Sequence, residues 1–250
     1  MRIALKIATI AMLTTTCLAV EAAPLPPAIA KAAADPARGP QARQDAVRHG
    51  PEILAFAGAK PGDKVIDLIP GGAYWTRLFA KTVGPKGHVY GIWPKPYAAE
   101  AGRDTIVYGE LPKHGYPNTS LAIQPATELT APEKVDLAFT AQNYHDYPDK
   151  FMGSLDPSVL NKAVYAALKP GGIYLIIDHQ DAPGTGMRNT DTLHRIEGAI
   201  VKKQVTAAGF RFVGESRLLV NPADDHKKVV FDKSIRGHTD QFIYKFRKPG

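Results

Sequence analysis

The sequence predicts a single α/β domain built on an open, mostly parallel sheet of seven strands, with helices on both faces. Three observations carry that reading. Short apolar runs alternate along the chain with stretches of helical periodicity, as in βαβ units. The switches between them fall at glycine and proline clusters, Pro70-Gly71-Gly72, Gly84-Pro85-Lys86-Gly87 and Lys169-Pro170-Gly171-Gly172. A chain of 250 residues, 44% hydrophobic and 22% charged, can also bury one sizeable core.

The first residues read differently. Arg2 and Lys6 precede an uncharged stretch, 7–20, and small residues follow at Ala22 and Ala23, the pattern of a secretory signal peptide over 1–22 cleaved after Ala22. A membrane anchor is the alternative, but the run is shorter than the roughly 20 residues that span a bilayer and contains Thr14-Thr15-Thr16. The expectation is a periplasmic or secreted protein with no stable membrane span after cleavage. Cys17 is the only cysteine and lies inside this segment, so the exported portion is expected to lack disulfides, thiolate catalysis and cysteine metal ligands. Loss of Arg2, Lys6 and Glu21 takes 31 basic and 24 acidic residues to 29 and 23, a net charge of +7 to +6. The basic residues are scattered, without a long run or interleaved aromatics. A solvated basic surface is therefore expected, and nucleic-acid binding is not.

Residues 23–40, rich in Ala and Pro, read as a flexible leader or an arm lying on the domain, which itself spans 41–248. Ala42, Val47, Ile53, Leu54 and Phe56, interrupted by Gly50-Pro51, predict two short helices over 41–57. Lys60-Pro61-Gly62-Asp63 then turns the chain into the first strand, Val65-Ile66-Asp67-Leu68-Ile69. Beyond the glycine turn, the spacing of Leu78, Phe79 and Val83 predicts a helix over 74–83. Residues 88–93 read as the second strand, Leu121-Ala122-Ile123 as the third, and 133–140, with Val135, Leu137 and Phe139 alternating, as the fourth. Asp156 is placed to cap a helix over 157–168, with Pro157 in its first turn. The fifth strand follows at 173–179, and a helix over 190–208 puts His194 and Glu197 on one face. Residues 211–220 give the sixth strand. The seventh, 241–247, carries Phe242, Tyr244 and Phe246 on one face.

The strand, glycine turn and helix over 65–83 resemble motif I of the class I S-adenosylmethionine (SAM)-dependent methyltransferases, an acidic residue followed by glycines at alternate positions. Asp67 and Gly71 match; Ile69 and Ala73 stand at the other glycine positions, and Gly72 at a spacer. The turn Leu168-Lys169-Pro170-Gly171-Gly172 between helix and apolar strand resembles a second, more specific element of that family. The run from Ala207-Ala208-Gly209-Phe210 through the last two strands resembles its final hairpin. The resemblance covers roughly 41–248. It implies a Rossmann-like sheet with an antiparallel last strand, SAM as cofactor, and methyl transfer to an O, N or similar nucleophile of a small-molecule substrate. The donor site it implies comprises Asp67, Gly71, Gly72, Trp93 and Asn143. At the end of the second strand the family places an acidic residue for the ribose hydroxyls; here Trp93 stands there, either to stack on an adenine face or to pack in the core. Tyr74-Trp75 discriminates further: rings that fill the donor pocket exclude an enzyme, whereas rings packed beneath the helix permit one.

In an open parallel sheet the carboxyl ends of the strands face the ligand crevice. The loop after the fourth strand therefore offers Asn143, Tyr144, His145 and Asp146 for substrate contact or proton transfer. A plainer reading has Asn143 and Asp146 forming an Asx turn or helix cap, with His145 exposed. Asp178-His179 ends the fifth strand, and would act as base and orienting carboxylate if both side chains reach one crevice. The candidate catalytic residues are His145, Asp146 and His179, with His145 or His179 as base. Together with Asp178 and His194 these groups can hold a divalent ion. No His-x-x-x-His spacing occurs, however, and Ala141 stands where magnesium-dependent O-methyltransferases carry a carboxylate, so no metal is expected. No Gly-x-Ser-x-Gly elbow supports a hydrolase. Export favours one alternative, a periplasmic binding or accessory protein that keeps the fold with a degenerate SAM site, because SAM is made and used in the cytoplasm.

Overall fold

The computed structural model describes residues 24–250, so the segment 1–22, read above as a signal peptide, lies outside the described residues. The strands are β1 Lys64–Leu68, β2 His88–Pro94, β3 Thr119–Gln124, β4 Val135–Ala141, β5 Leu168–His179, β6 Arg211–Ser216 and β7 Gln241–Arg247. They form one sheet in the order β3-β2-β1-β4-β5-β7-β6. Pairing is parallel from β3 through β5, and β7 runs antiparallel to both β5 and β6. The chain moves outward from β1 to β3 and returns on the other side as β4. The carboxyl ends of β1 and β4 thus meet where the strand order reverses, the place where such sheets leave a crevice.

The helices are α1 Pro27–Ala33, α2 Asp45–Arg48, α3 Gly50–Ala57, α4 Tyr74–Val83, α5 Lys95–Glu100, α6 Gly102–Gly109, α7 Pro157–Ala167, α8 Thr190–Leu193 and α9 Gly198–Ala207. The α4 bounds match the sequence reading because Leu78, Phe79 and Val83 bury one stripe, and the Phe79 ring packs at 5.2 Å on Phe139 of β4. Strand β1 buries Val65 and Ile66 on opposite faces together with Leu68, as a strand covered on both faces requires. Asp156 caps α7 as expected, its Oδ1 accepting the Ser158 N–H at 2.8 Å. Among the described residues no helix is long and apolar enough to cross a membrane.

Three expectations need correction. Residues 24–40 take the second of their two readings, an arm on the domain. Ile29 and Ala32 are buried against the core, and Arg38, also buried, pairs with Asp45, which in turn accepts the Tyr74 hydroxyl at 2.6 Å. Second, α5 and α6 fill a stretch for which the sequence reading gave no element. Third, the helix expected over 190–208 is broken. Arg195 is drawn into the interior, where it meets Asp224 at 2.9 Å and donates to the carbonyls of Gln180 and Lys228. Ile196 extends the edge of β5, its N–H donating to the His179 carbonyl at 3.0 Å. These bonds outweigh helical propensity. His194 is left in left-handed backbone, φ 54°, and does not share a helical face with Glu197.

Arg195 and Asp224 are both essentially unexposed. Truncating one partner of a buried pair leaves the other charge uncompensated. Arg195→Ala is expected to lower unfolding stability by about 3–5 kcal/mol, read from urea denaturation; a loss below about 1 kcal/mol would show that the pair does not hold the 194–228 segment down.

Candidate functional site

The glycine turn after β1 keeps the backbone its motif requires, with other residues. Ile69 (φ 52°) and Ala73 (φ 63°) adopt left-handed conformations at the two positions where alternate glycines were expected. For a β-branched residue this is strained. Ile69 is held there by donating to the Ile92 carbonyl at 2.9 Å and by accepting from the Asn143 side-chain amide at 3.2 Å. Asn143 also donates to the Ala141 carbonyl at 2.6 Å, so it fastens the end of β1 to the end of β4. A Cβ added at Gly72 would meet only the Gln41 amide, at 3.8 Å, and the turn therefore presents bare backbone. Helix α4 begins at Ala73 with no side-chain cap, leaving its first N–H groups directed at the crevice. Asp67 is buried and accepts from the Thr76 hydroxyl at 2.6 Å. Burial pushes its carboxyl up to about 7, against the lowering effect of that hydrogen bond.

A cleft of about 670 Å³ opens over this turn, within the range of small-molecule sites. Asp67, Gly71, Gly72 and Asn143 line one end of it, while His145, Asp146, His179 and His194 line the other with Tyr97, Phe151 and Phe231. The Trp75 ring packs on Phe139 at 4.9 Å and Tyr74 is tied to Asp45. Both edge the cleft and neither fills it, the outcome that permits an enzyme. Trp93 corrects the sequence reading. It is wholly buried, packs edge-on against Tyr108 of α6 at 5.0 Å, and is absent from the cleft lining. Its apolar ring is more stable between β2 and α6 than in contact with water.

At the other end, the fold overturns the exposed reading of His145, which is buried. Asp178 serves as its orienting carboxylate: Oδ1 lies 2.7 Å from His145 Nδ1, and Oδ2 accepts the His145 backbone N–H at 2.8 Å. The expected pairing of Asp178 with its neighbour is confined to the His179 backbone N–H, also 2.8 Å; the His179 ring instead meets the Thr239 hydroxyl at 2.7 Å. Burial alone would lower His145, but Asp178 and Asp146 raise it to about 10. Burial lowers His179 to about 3. At neutral pH the flanking carboxylates favour the protonated form of His145, and burial favours the neutral form of His179. Burial would raise Asp146, yet bonds from His145 and His194 hold it below the usual carboxylate range.

Sequence reasoning did not single out Gln41, Gln44 and Arg48, which precede β1 and form a wall of the cleft, or Glu100 and Asp104 beside the turn. Nor did it find Phe231, whose ring stands 4.8 Å from His194. The signal for Phe231 lies in the Arg195–Asp224 pair, which brings the 221–240 loop back across the cleft.

No protein-family profile matches the chain. It is 28% identical over 166 residues to a protein-L-isoaspartate O-methyltransferase of Ignicoccus hospitalis, covering 63% of this chain and 68% of that protein. It is 26% identical to a ubiquinone/menaquinone biosynthesis C-methyltransferase of Ectopseudomonas mendocina, covering 75% of this chain and 64% of that one. Against a demethylmenaquinone methyltransferase of Listeria monocytogenes the identity is 28%, over 51% of this chain and about half, 49%, of the relative. Among solved structures, a SAM-dependent methyltransferase from Aquifex aeolicus superposes with a TM-score of 0.59 at 20% identity, covering 88% of this chain and 96% of that one. The 4+2 cyclase SpnF superposes with a TM-score of 0.61 at 15% identity, over 82% of each.

The Asp67 shift sets a pH dependence. Its folded value of about 7 lies above the unfolded value, so the folded state holds the proton longer and stability falls as pH rises from about 4 to 7. Asp67→Asn is expected to remove that slope, about 1.4 kcal/mol per pH unit, in urea titrations across this window. Equal slopes in the two proteins would place Asp67 in a solvated setting.

Proposed function

Class I SAM-dependent methyltransferases are the homologues and structural neighbours of this chain, and from that premise we propose that it binds SAM over the glycine turn and methylates a small apolar or aromatic molecule. The observation that carries the proposal is one continuous cleft. A bare turn and an uncapped helix N-terminus form one end, and an aromatic and histidine-lined pocket forms the other.

When bound, SAM supplies an electrophilic methyl group on a sulfonium centre. The amides of Gly71, Gly72 and the first turn of α4 are suited to its polar groups, with Asp67 beneath them. With Trp93 buried, the ribose hydroxyls fall to Glu100 and Asp104, which line the cleft beside the turn. Tyr97 and Phe151, with ring centroids 5.8 Å apart, and Phe231 hold the acceptor against the histidine cluster. With His145 protonated and His179 a weak acceptor, the rate rests on holding donor and acceptor in line while water is kept out.

The same reading includes export: the mature protein begins after Ala22 and works in the periplasm or outside the cell. N-terminal sequencing of protein recovered from cell fractions is expected to start at Ala23. A full-length chain confined to the cytoplasm would overturn export and leave methyl transfer standing.

Calorimetric titration with SAM and S-adenosylhomocysteine tests the donor site. Micromolar binding is expected, weakened at least about 10-fold in Gly72→Leu, whose side chain enters the cleft from an unstrained backbone position. Absence of binding at millimolar ligand would overturn methyl transfer and favour a binding or accessory protein that keeps the fold.

A further inference from the structure

We infer that His145, Asp146 and His194 form a binding site for a single first-row transition-metal ion at the inner end of the cleft. No local ligand spacing marks such a site, because one ligand comes from a different loop from the other two. The fold supplies the geometry. His145 Nε2 lies 3.2 Å from Asp146 Oδ1 and 3.3 Å from His194 Nδ1, and His194 Nδ1 lies 3.8 Å from Asp146 Oδ1. Ligand atoms about 2.0–2.1 Å from a tetrahedral ion are separated by about 3.3 Å, so these three atoms already stand near the edge lengths of one face of that tetrahedron.

The hydrogen-bond inventory points the same way. Asp178 accepts the Nδ1–H of His145, so Nε2, once its own proton is displaced by a cation, presents its lone pair toward Asp146 and His194. This is a carboxylate behind a metal-binding imidazole, an arrangement that fixes the ring and its tautomer. Asp146, once ionised, only accepts, and His194 Nδ1 can offer one proton at most. A divalent cation that displaces the Nε2 proton of His145 satisfies all three atoms at once. His194 is aimed at the group by its left-handed backbone and by the buried Arg195 that follows it. Two imidazoles and one carboxylate suit zinc, iron or cobalt rather than magnesium or calcium, which prefer all-oxygen sites. The face away from Asp178 opens on the cleft, with Phe231 at its rim, leaving a coordination position for water or a ligand oxygen.

The inference does not depend on methyl transfer, and its test is read without SAM. The untagged full chain, stripped with chelator and dialysed against Zn2+, is expected to retain one equivalent by elemental analysis, with a micromolar or tighter Kd by calorimetry. Co2+ in its place is expected to give visible d–d absorption of low-coordinate geometry, and Mg2+ is expected not to compete. His194→Gln and the near-isosteric Asp146→Asn should each weaken Zn2+ binding at least about 10-fold while the far-UV spectrum is unchanged. Retention well below one equivalent would overturn the site. Retention that both variants leave unaltered would do so as well, by placing the ion on other histidines.

Discussion

The carboxylate of Asp178 is the constraint on which the far end of the cleft depends. It is fully buried at the end of β5, and its two oxygens meet three N–H groups: the backbone of His145, the ring of His145 and the backbone of His179. A buried charge persists only when it is compensated in this way. Because two of those donors lie in the loop after β4, the same bonds that solvate the carboxylate bind the ends of adjacent strands together. Gln142, just before that loop, adds a further link by donating to the Ile177 carbonyl at 2.8 Å. At the opposite end Asn143 performs the matching task with Ile69, so the one loop after β4 fixes both halves of the cleft relative to the sheet.

The two histidines nearest Asp178 show how strongly position within such a cluster governs chemistry. Their rings are 6.0 Å apart and both are buried, yet one is held charged and the other neutral. His145 faces a carboxylate on either side; His179 turns to a threonine hydroxyl. Desolvation acts on both, and the specific partners decide the outcome. Residue type alone therefore does not fix the protonation state of either ring, and both face the same aromatic-lined cleft.

Much of the fold was legible because hydrophobic periodicity and turn chemistry agree locally. The bounds of α4, the cap at Asp156 and the terminal strand β7 follow from patterns contained within about a dozen residues. The donor end was legible for the same reason: Asp67, Gly71 and Gly72 are neighbours in sequence and remain neighbours in the cleft. What failed was non-local. Trp93 was read against a motif position, whereas Tyr108, fifteen residues on, claims its ring. The helix over 190–208 had adequate local propensity, but Asp224 draws Arg195 out of it. The arm at 24–40 looked flexible by composition, yet Ile29 and Arg38 are buried against partners supplied by later segments. Residues whose partners lie far along the chain carry no periodic signal.

The place of β7 has a consequence for how the domain is assembled. It is the final strand in chain order, yet it is inserted between β5 and β6 and pairs with both. Until it arrives, β5 exposes one long unpaired edge and β6 has no partner at all. Closure is completed by Lys248, whose backbone exchanges hydrogen bonds with Gly171 and Gly172 at the start of β5. A chain emerging from its amino end can therefore collect β1 to β4 early but cannot finish the sheet until β7 is free. Over that interval it presents open strand edges to any neighbour, which makes the docking of β7, more than local helix formation, the step that separates folding from edge-to-edge association.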